Sequence, residues 1–113
     1  MSTSPLELHK IRVLISPVPE GYAAECLDLA TFTTEPTKET AAKSITELIE
    51  SHILTGLEFG ISFEQLRRHV PTQQVQDAYV RAQNFPPTQT LSPEVQALIR
   101  DIEYRVYRET ITD

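Results

Sequence analysis

Tryptophan is absent from this sequence, and glycine and cysteine are scarce: there are three glycines and one cysteine. The single cysteine, Cys26, excludes an intramolecular disulfide and a zinc site built from cysteines. Three glycines are too few for a loop that cradles phosphate groups. The aromatic side chains are scattered along the chain and do not cluster as a platform for stacking nucleic-acid bases. These absences exclude several common kinds of ligand site.

Histidine is equally sparse. His9, His52 and His69 lie far apart, and no two of them have the spacing of a metal-binding pair on a helix. Glu25 and Asp28 are candidates for a metal-binding carboxylate pair, but no further acid is placed on an adjacent strand. The sequence therefore predicts a protein that is not an enzyme, with no catalytic residues, no metal and no cofactor.

Long hydrophobic runs are also missing. No stretch of about 18 apolar residues predicts a membrane span, and Met1–Lys10 lacks the apolar run of a signal peptide. We therefore expect a cytoplasmic protein that does not contact membranes. The chain has 113 residues, of which 40% are hydrophobic, which is enough to bury a core without disulfides or metals.

Acidic residues outnumber basic residues by 16 to 10, which gives a formal net charge of −6. This charge disfavours non-specific binding to nucleic acids, because their phosphate backbones are also negative. It favours a basic partner, because complementary charge speeds encounter. The alternative is that the charge only keeps the protein soluble.

The first sixty residues predict an antiparallel sheet and one long helix. Alternating apolar residues predict a strand at Lys10–Ser16, in which Leu14 interrupts the polar side. A turn with two prolines and Gly21 follows, and then a second strand at Tyr22–Leu27 and a short third strand at 31–34. Thr37 is a natural N-cap for a helix from Lys38 to Leu54, which Gly56 and Gly60 terminate.

The second half predicts helices. Ser62 and Gln65 match a capping box, and Thr72 is placed to cap a short helix that runs to Ala82. The range 84–90 contains two adjacent prolines and predicts a linker. From Ser92 a last helix is predicted to about Arg108, with one apolar stripe: Val95, Leu98, Ile99, Ile102 and Val106.

Together these elements predict an α+β fold. It consists of a small antiparallel sheet of three to four strands packed by one main helix, followed by a helical C-terminal extension. Residues 1–60 are expected to form the α+β domain. Residues 61–113 are expected to serve dimerisation or packing, or to form a degenerate DNA-binding module.

The N-terminal half resembles the HicB-like antitoxin family over about residues 10–55. The residues that carry the resemblance follow the turn and open the helix: Gly21-Tyr22, Glu25, Leu27-Asp28-Leu29, Thr37 and Ala41. The sequence departs from the family pattern at Glu35-Pro36, where a glycine is usual, and at Thr40, where a capping-box glutamate is common. A last strand after the helix, frequent in the family, is not evident at 60–70.

The resemblance implies an antitoxin or regulator that binds and neutralises a small basic toxin of the HicA type, which cuts messenger RNA. The family is also commonly dimeric or tetrameric, so a homodimer or tetramer is expected. Four acids are candidates for contact with the toxin: Glu20, Glu25, Asp28 and Glu35. They can equally be a solvated loop surface.

A DNA-binding regulator and an orphan structural oligomer without enzymatic activity are the alternative functions. Arg67 and Arg68, followed by a turn and a short helix with Gln73 and Gln74, loosely resemble a helix-turn-helix whose second helix reads base edges. However, the region 62–113 is not net basic, and its helices can instead pack on the sheet or form a dimer interface.

Overall fold

A computed structural model describes residues 9–86 and 91–111, and these ranges contain five strands and four helices. The strands are β1 (His9–Val18), β2 (Gly21–Cys26), β3 (Phe32–Glu35), β4 (Gln83–Phe85) and β5 (Ile99–Val106). The helices are α1 (Lys38–Glu58), α2 (Phe63–Leu66), α3 (Gln73–Arg81) and α4 (Pro93–Gln96). The predicted α+β class is confirmed.

All five strands belong to one sheet in the order β3-β2-β1-β5-β4. Neighbouring strands are antiparallel except β1 and β5, which are parallel. The prediction of a small antiparallel sheet of three to four strands is therefore only partly matched, because the sheet has five strands and its β1–β5 pair is parallel. The extra strands, β4 and β5, both come from the second half of the chain.

A tight turn joins β1 to β2 and requires its glycine. Gly21 has a φ of 142°, a conformation that residues with a side chain rarely adopt. A Cβ atom at this position would lie 2.4 Å from the carbonyl oxygen of Glu35 and 2.9 Å from Cα of Pro36. The close approach of β2 to the end of β3 therefore depends on Gly21.

Helix α1 begins at the predicted cap and ends one turn later than predicted. The Thr37 hydroxyl accepts from the backbone N–H of Thr40, and the Thr40 hydroxyl accepts from the N–H of Thr37. Threonine thus completes the capping box in place of a glutamate. Gly56 is buried inside the helix, where a Cβ would meet Leu66 at 2.8 Å, and Gly60, with a φ of 77°, follows the helix end.

The main core lies between α1 and one face of the sheet. Ile11, Val13 and Ile15 of β1 point towards α1, which contributes Ile45 and Ile49, and all five side chains are fully buried. On the opposite face, a smaller cluster covers the central strand: Leu14, Leu27, Val75, Ala78 and Tyr79. Leu14 interrupts the polar side of β1 because α3 packs there.

The last helix predicted from the sequence is mostly a strand. Ser92 and Pro93 begin a helix as predicted, but α4 ends at Gln96 and β5 follows. Residues from Ile102 to Arg105 alternate between buried and partly exposed side chains, which suits a strand as well as the predicted helical stripe. Residues 99–106 form a strand because they hydrogen-bond with the edge of β1 that does not pair with β2. The new strand lies between two packed layers.

The remaining helices begin where the sequence predicts, although α2 ends at Leu66 and does not extend through His69. The capping box of Ser62 and Gln65 opens α2, and the Thr72 hydroxyl accepts from the N–H of Val75 at the start of α3. The predicted linker begins with β4, and its residues 87–90 lie outside the described part of the chain. The region 61–113 is therefore only partly helical. Within residues 9–86 and 91–111, no helix has the length and apolar character needed to cross a bilayer.

Candidate functional site

The sheet face opposite the main core carries a row of charged side chains. In the parallel pair β1–β5, Arg12 lies beside Glu103, and Lys10 lies beside Asp101. Alternation along the strands places these residues on the side covered by α3. Lys10 Nζ lies 3.7 Å from a carboxylate oxygen of Glu103, and Arg105 lies at the same distance from the other oxygen.

Tyr79 of α3 lies at the centre of this charged row. Its hydroxyl donates a hydrogen bond to the Glu103 carboxylate. The Arg105 guanidinium lies 4.4 Å from the centre of the Tyr79 ring and donates to the Tyr79 carbonyl oxygen at 2.9 Å. Arg12 lies 5.9 Å from the same ring. We call these residues, with Lys10 and Asp28, the Tyr79 network.

Asp28 connects the loop after β2 to the Tyr79 network. One of its carboxylate oxygens accepts from Arg12 Nη2 at 2.8 Å, and the other accepts from the Arg12 backbone N–H at 2.8 Å. The hydrogen bond to Asp28 raises the pKa of Arg12 above its ordinary value. The Asp28 side chain is only 12% exposed, so its charge interacts mainly with groups of this chain.

The protonation states of Tyr79 and Glu103 are fixed at neutral pH. Burial raises the pKa of Tyr79, and the carboxylate of Glu103 raises it further. The hydrogen bond from Tyr79 holds the pKa of Glu103 below its usual range. Tyr79 is therefore a neutral donor and Glu103 a charged acceptor, which is an arrangement that fastens α3 to the sheet and does not exchange protons near pH 7.

A groove of about 330 Å³ opens beside the Tyr79 network, between β4 and the ends of β1 and β5. Lys10 and Asp101 line one part of it, and Phe85 and Tyr104 line another. Among the residues that the structure describes, no group of three or more histidine, cysteine or carboxylate side chains is placed to hold a metal ion.

The four acids predicted to contact a toxin are not brought together. Glu20 is exposed in the turn between β1 and β2, and Glu35 lies at the end of β3, where it accepts a hydrogen bond from Ser44. Glu25 is half-buried on the sheet face opposite the main core, beside Leu14 of β1. Asp28 is engaged by Arg12. Their role in binding a partner stays a prediction.

The four residues predicted to contact DNA lie on α3 and just after α2. Arg67 is half-buried and pairs loosely with Glu64 at 3.5 Å, whereas Arg68 is exposed. Gln73 donates to Asp77 at 2.9 Å, and Gln74 is exposed beside it. The exposed side of α3 thus combines amides with a carboxylate, and the opposite side of this helix packs on the sheet.

The remaining nucleophilic candidate is not activated. Cys26 is fully buried in β2, and burial raises the pKa of its thiol to about 11. The backbone N–H of Leu29 donates to its sulfur at 3.3 Å. A thiol with this pKa is protonated at neutral pH and serves as a small core residue.

Sequence reasoning missed the Tyr79 network because it placed Glu103 and Arg105 on a helix. The alternation from Ile102 to Tyr107 was the available signal: charged residues at 103 and 105 lie between apolar residues at 102, 104 and 106. Pairing these charges with Arg12 and Tyr79 requires the parallel register of β5 on β1, which no local pattern specifies.

Comparisons with known protein families, with curated proteins and with solved structures give no significant match for this chain.

Proposed function

We propose that this chain is a HicB-like antitoxin, or a regulator of that type, which binds and neutralises a small basic toxin that cuts messenger RNA. The observation that carries the proposal is a set of exposed acids that form no ion pair with another described residue: Glu20, Glu39, Glu47 and Glu58. All four lie within the region 1–60, and Glu20, Glu39 and Glu47 lie within residues 10–55, where the resemblance to the family is found.

Unpaired surface carboxylates attract a cationic protein over distances of about 10 Å at moderate ionic strength. The net charge of −6 adds to this attraction. Neutralisation of a ribonuclease needs only that the antitoxin cover the basic surface that holds RNA, so the antitoxin itself requires no reactive group. The buried thiol of Cys26 and the fixed protonation of Tyr79 and Glu103 agree with a binding role.

The test is a pull-down with the tagged protein from its own cell extract, first at low salt and then at high salt. We expect a small basic protein whose recovery falls as salt rises, and which cleaves messenger RNA only when this chain is removed. Replacing the four acids by glutamine should slow association by about tenfold. The matched control replaces Glu94 and Glu109, which are also exposed but lie in the second half.

Each other result argues against the antitoxin proposal. Recovery of DNA fragments would favour the DNA-binding regulator, and recovery of the chain alone would favour the orphan structural oligomer. The proposal includes self-association as a homodimer or tetramer, which light scattering on the same preparation measures. A strictly monomeric protein would contradict that part.

A further inference from the structure

The C-terminal end of α1 exposes several large apolar side chains. Leu54, Leu57 and Ile61 are 38%, 40% and 40% exposed, and Phe59 is 75% exposed. The N–H of Ile61 donates to the Gly56 carbonyl at 2.8 Å, and that of Gly60 donates to Leu57 at 3.0 Å. These bonds fold residues 59–61 back against the last helical turn. We call Leu54, Leu57, Phe59 and Ile61 the α1 terminal surface.

This surface is separate from the face by which α1 packs on the sheet. Ile49, Ile53 and Gly56 form the buried side of the helix at this end. Gly56 lies so close to Leu66 that a methyl group would meet it at 2.8 Å. The fold is therefore tightly packed beneath the α1 terminal surface. Burial of the apolar area of this surface lowers the free energy only when another molecule covers it.

The charge around the surface is net negative. Between Ser44 and Arg68 the sequence has four glutamates, Glu47, Glu50, Glu58 and Glu64, and two arginines, Arg67 and Arg68, of which Arg67 pairs with Glu64. The local formal charge is therefore 2 − 4 = −2. Glu47 and Glu58 are exposed and form no ion pair with another described residue.

The helix end adds a second source of negative potential. The last turn of α1 contains no basic residue, although cations are favoured there because the backbone dipole places negative charge at a helix C-terminus. Glu58 instead adds a like charge to that end. In the free protein this placement of Glu58 is unfavourable. A cationic partner at the helix end would make the electrostatic energy of Glu58 favourable.

We propose that the α1 terminal surface docks a partner protein whose contact area combines apolar side chains with a surround of lysine or arginine. The apolar centre supplies the area to be buried, and the glutamates select the partner's charge. A second copy of this chain is disfavoured, because two such surfaces would bring −2 against −2. This inference rests on the proposed function, since it names the surface that would meet the basic toxin.

The first test uses a defined probe, an amphipathic helical peptide of leucine and lysine about 14 residues long, which makes about four turns. Its counterpart has glutamate in place of every lysine. We expect the lysine peptide to bind, with amide NMR shifts concentrated at residues 54–61, and the glutamate peptide not to bind. Equal binding of both peptides would overturn the charge argument.

Two variants test where on the protein the lysine peptide binds. Phe59→Ser should weaken binding of the lysine peptide by about tenfold. The control is Val80→Ser on α3, because Val80 is 76% exposed, close to the 75% of Phe59. Equal effects of the two variants would overturn the location. Circular dichroism and thermal unfolding establish that both variants are folded.

Glu58→Gln separates a docking role from a structural one. It should raise Tm of the free protein by about 1–3 °C, because it removes a charge from the negative helix end. The same variant should weaken binding of the lysine peptide and reduce its salt dependence. Glu109→Gln, at an exposed acid outside this region, should leave both quantities unchanged. A Glu58 variant that lowers Tm or leaves binding intact contradicts the inference.

The two proposals fail in different ways. If a basic toxin is recovered and Phe59→Ser does not affect its binding, the docking surface is wrong while the antitoxin function stands. If no toxin exists but the lysine peptide binds with the expected dependence on Phe59, the surface stands and the antitoxin function is wrong. Self-association that Phe59→Ser abolishes would show that a second copy covers the surface, and would overturn the docking proposal.

Discussion

Tyr79→Phe tests whether the Tyr79 network fastens α3 to the sheet. The change removes one hydroxyl and keeps the ring that contacts Arg105. A hydrogen bond to a charged group contributes about 1.5–3 kcal/mol. Because the Glu103 side chain is 26% exposed and retains Lys10 and Arg105 at 3.7 Å, we expect the lower end. The loss is about 1.5 kcal/mol, which lowers Tm by about 5 °C.

The loss should depend on pH with a definite sign. The pKa of Glu103 in the folded protein lies below its ordinary 4.5. Its contribution to stability is therefore complete above the unfolded pKa and disappears as pH falls through the folded pKa. Since the hydrogen bond from Tyr79 is the main cause of this shift, the difference between wild type and Tyr79→Phe should be full at neutral pH and shrink below about pH 4.

Urea unfolding at several pH values measures this difference, and carboxyl ¹³C NMR measures the pKa of Glu103 directly. We expect that pKa to rise in the variant. Tyr107→Phe is the control, because Tyr107 is a half-buried tyrosine on the same side of the sheet and has no hydrogen bond through its hydroxyl to another described residue. Equal stability of wild type and Tyr79→Phe across the pH range would refute the reasoning.

Three further changes test the fold. Gly21→Ala should cost more than about 2 kcal/mol, because a Cβ would lie 2.4 Å from the Glu35 carbonyl oxygen; urea unfolding measures it, and an unchanged midpoint would contradict the turn geometry. Ile45→Asp should abolish the cooperative thermal transition, since it places a carboxylate at a fully buried position. A chain ending at Gly60 should also lack that transition, because β1 would lose β5; cooperative unfolding of this fragment would instead support the predicted boundary at residue 60.

The N-terminal half was largely predictable because its signals are local. Apolar alternation defines β1, the turn requires Gly21, and the N-cap Thr37 lies one residue before the start of α1. The local sequence predicts too early an end for α1, because Gly56 has the character of a helix stop signal. In the structure Gly56 lies inside the helix, where a Cβ would meet the end of the Leu66 side chain at 2.8 Å; this is a tertiary contact and leaves no trace in the local sequence.

The second half was harder to predict because the formation of β5 depends on the strand with which it pairs, β1. Residues 95–106 satisfy a helical stripe, and residues 102–106 satisfy a strand pattern equally well. The choice depends on β1, whose buried residues need strands on both sides. A parallel strand that pairs across more than 80 residues of sequence, as Ile11 does with Ile102, cannot be inferred from a window of ten.

One anomaly in the sequence did indicate the missing layer. Leu14 interrupts the polar side of β1, and a strand whose other face met solvent would not favour a leucine there. In the structure Leu14 is 1% exposed beneath α3, with Arg12 next to it in the Tyr79 network. A covered face of this kind can accommodate charges only if they are paired with one another. Leu14 and the alternating charges at 103 and 105 are therefore two consequences of one packing arrangement, α3 over β1 and β5.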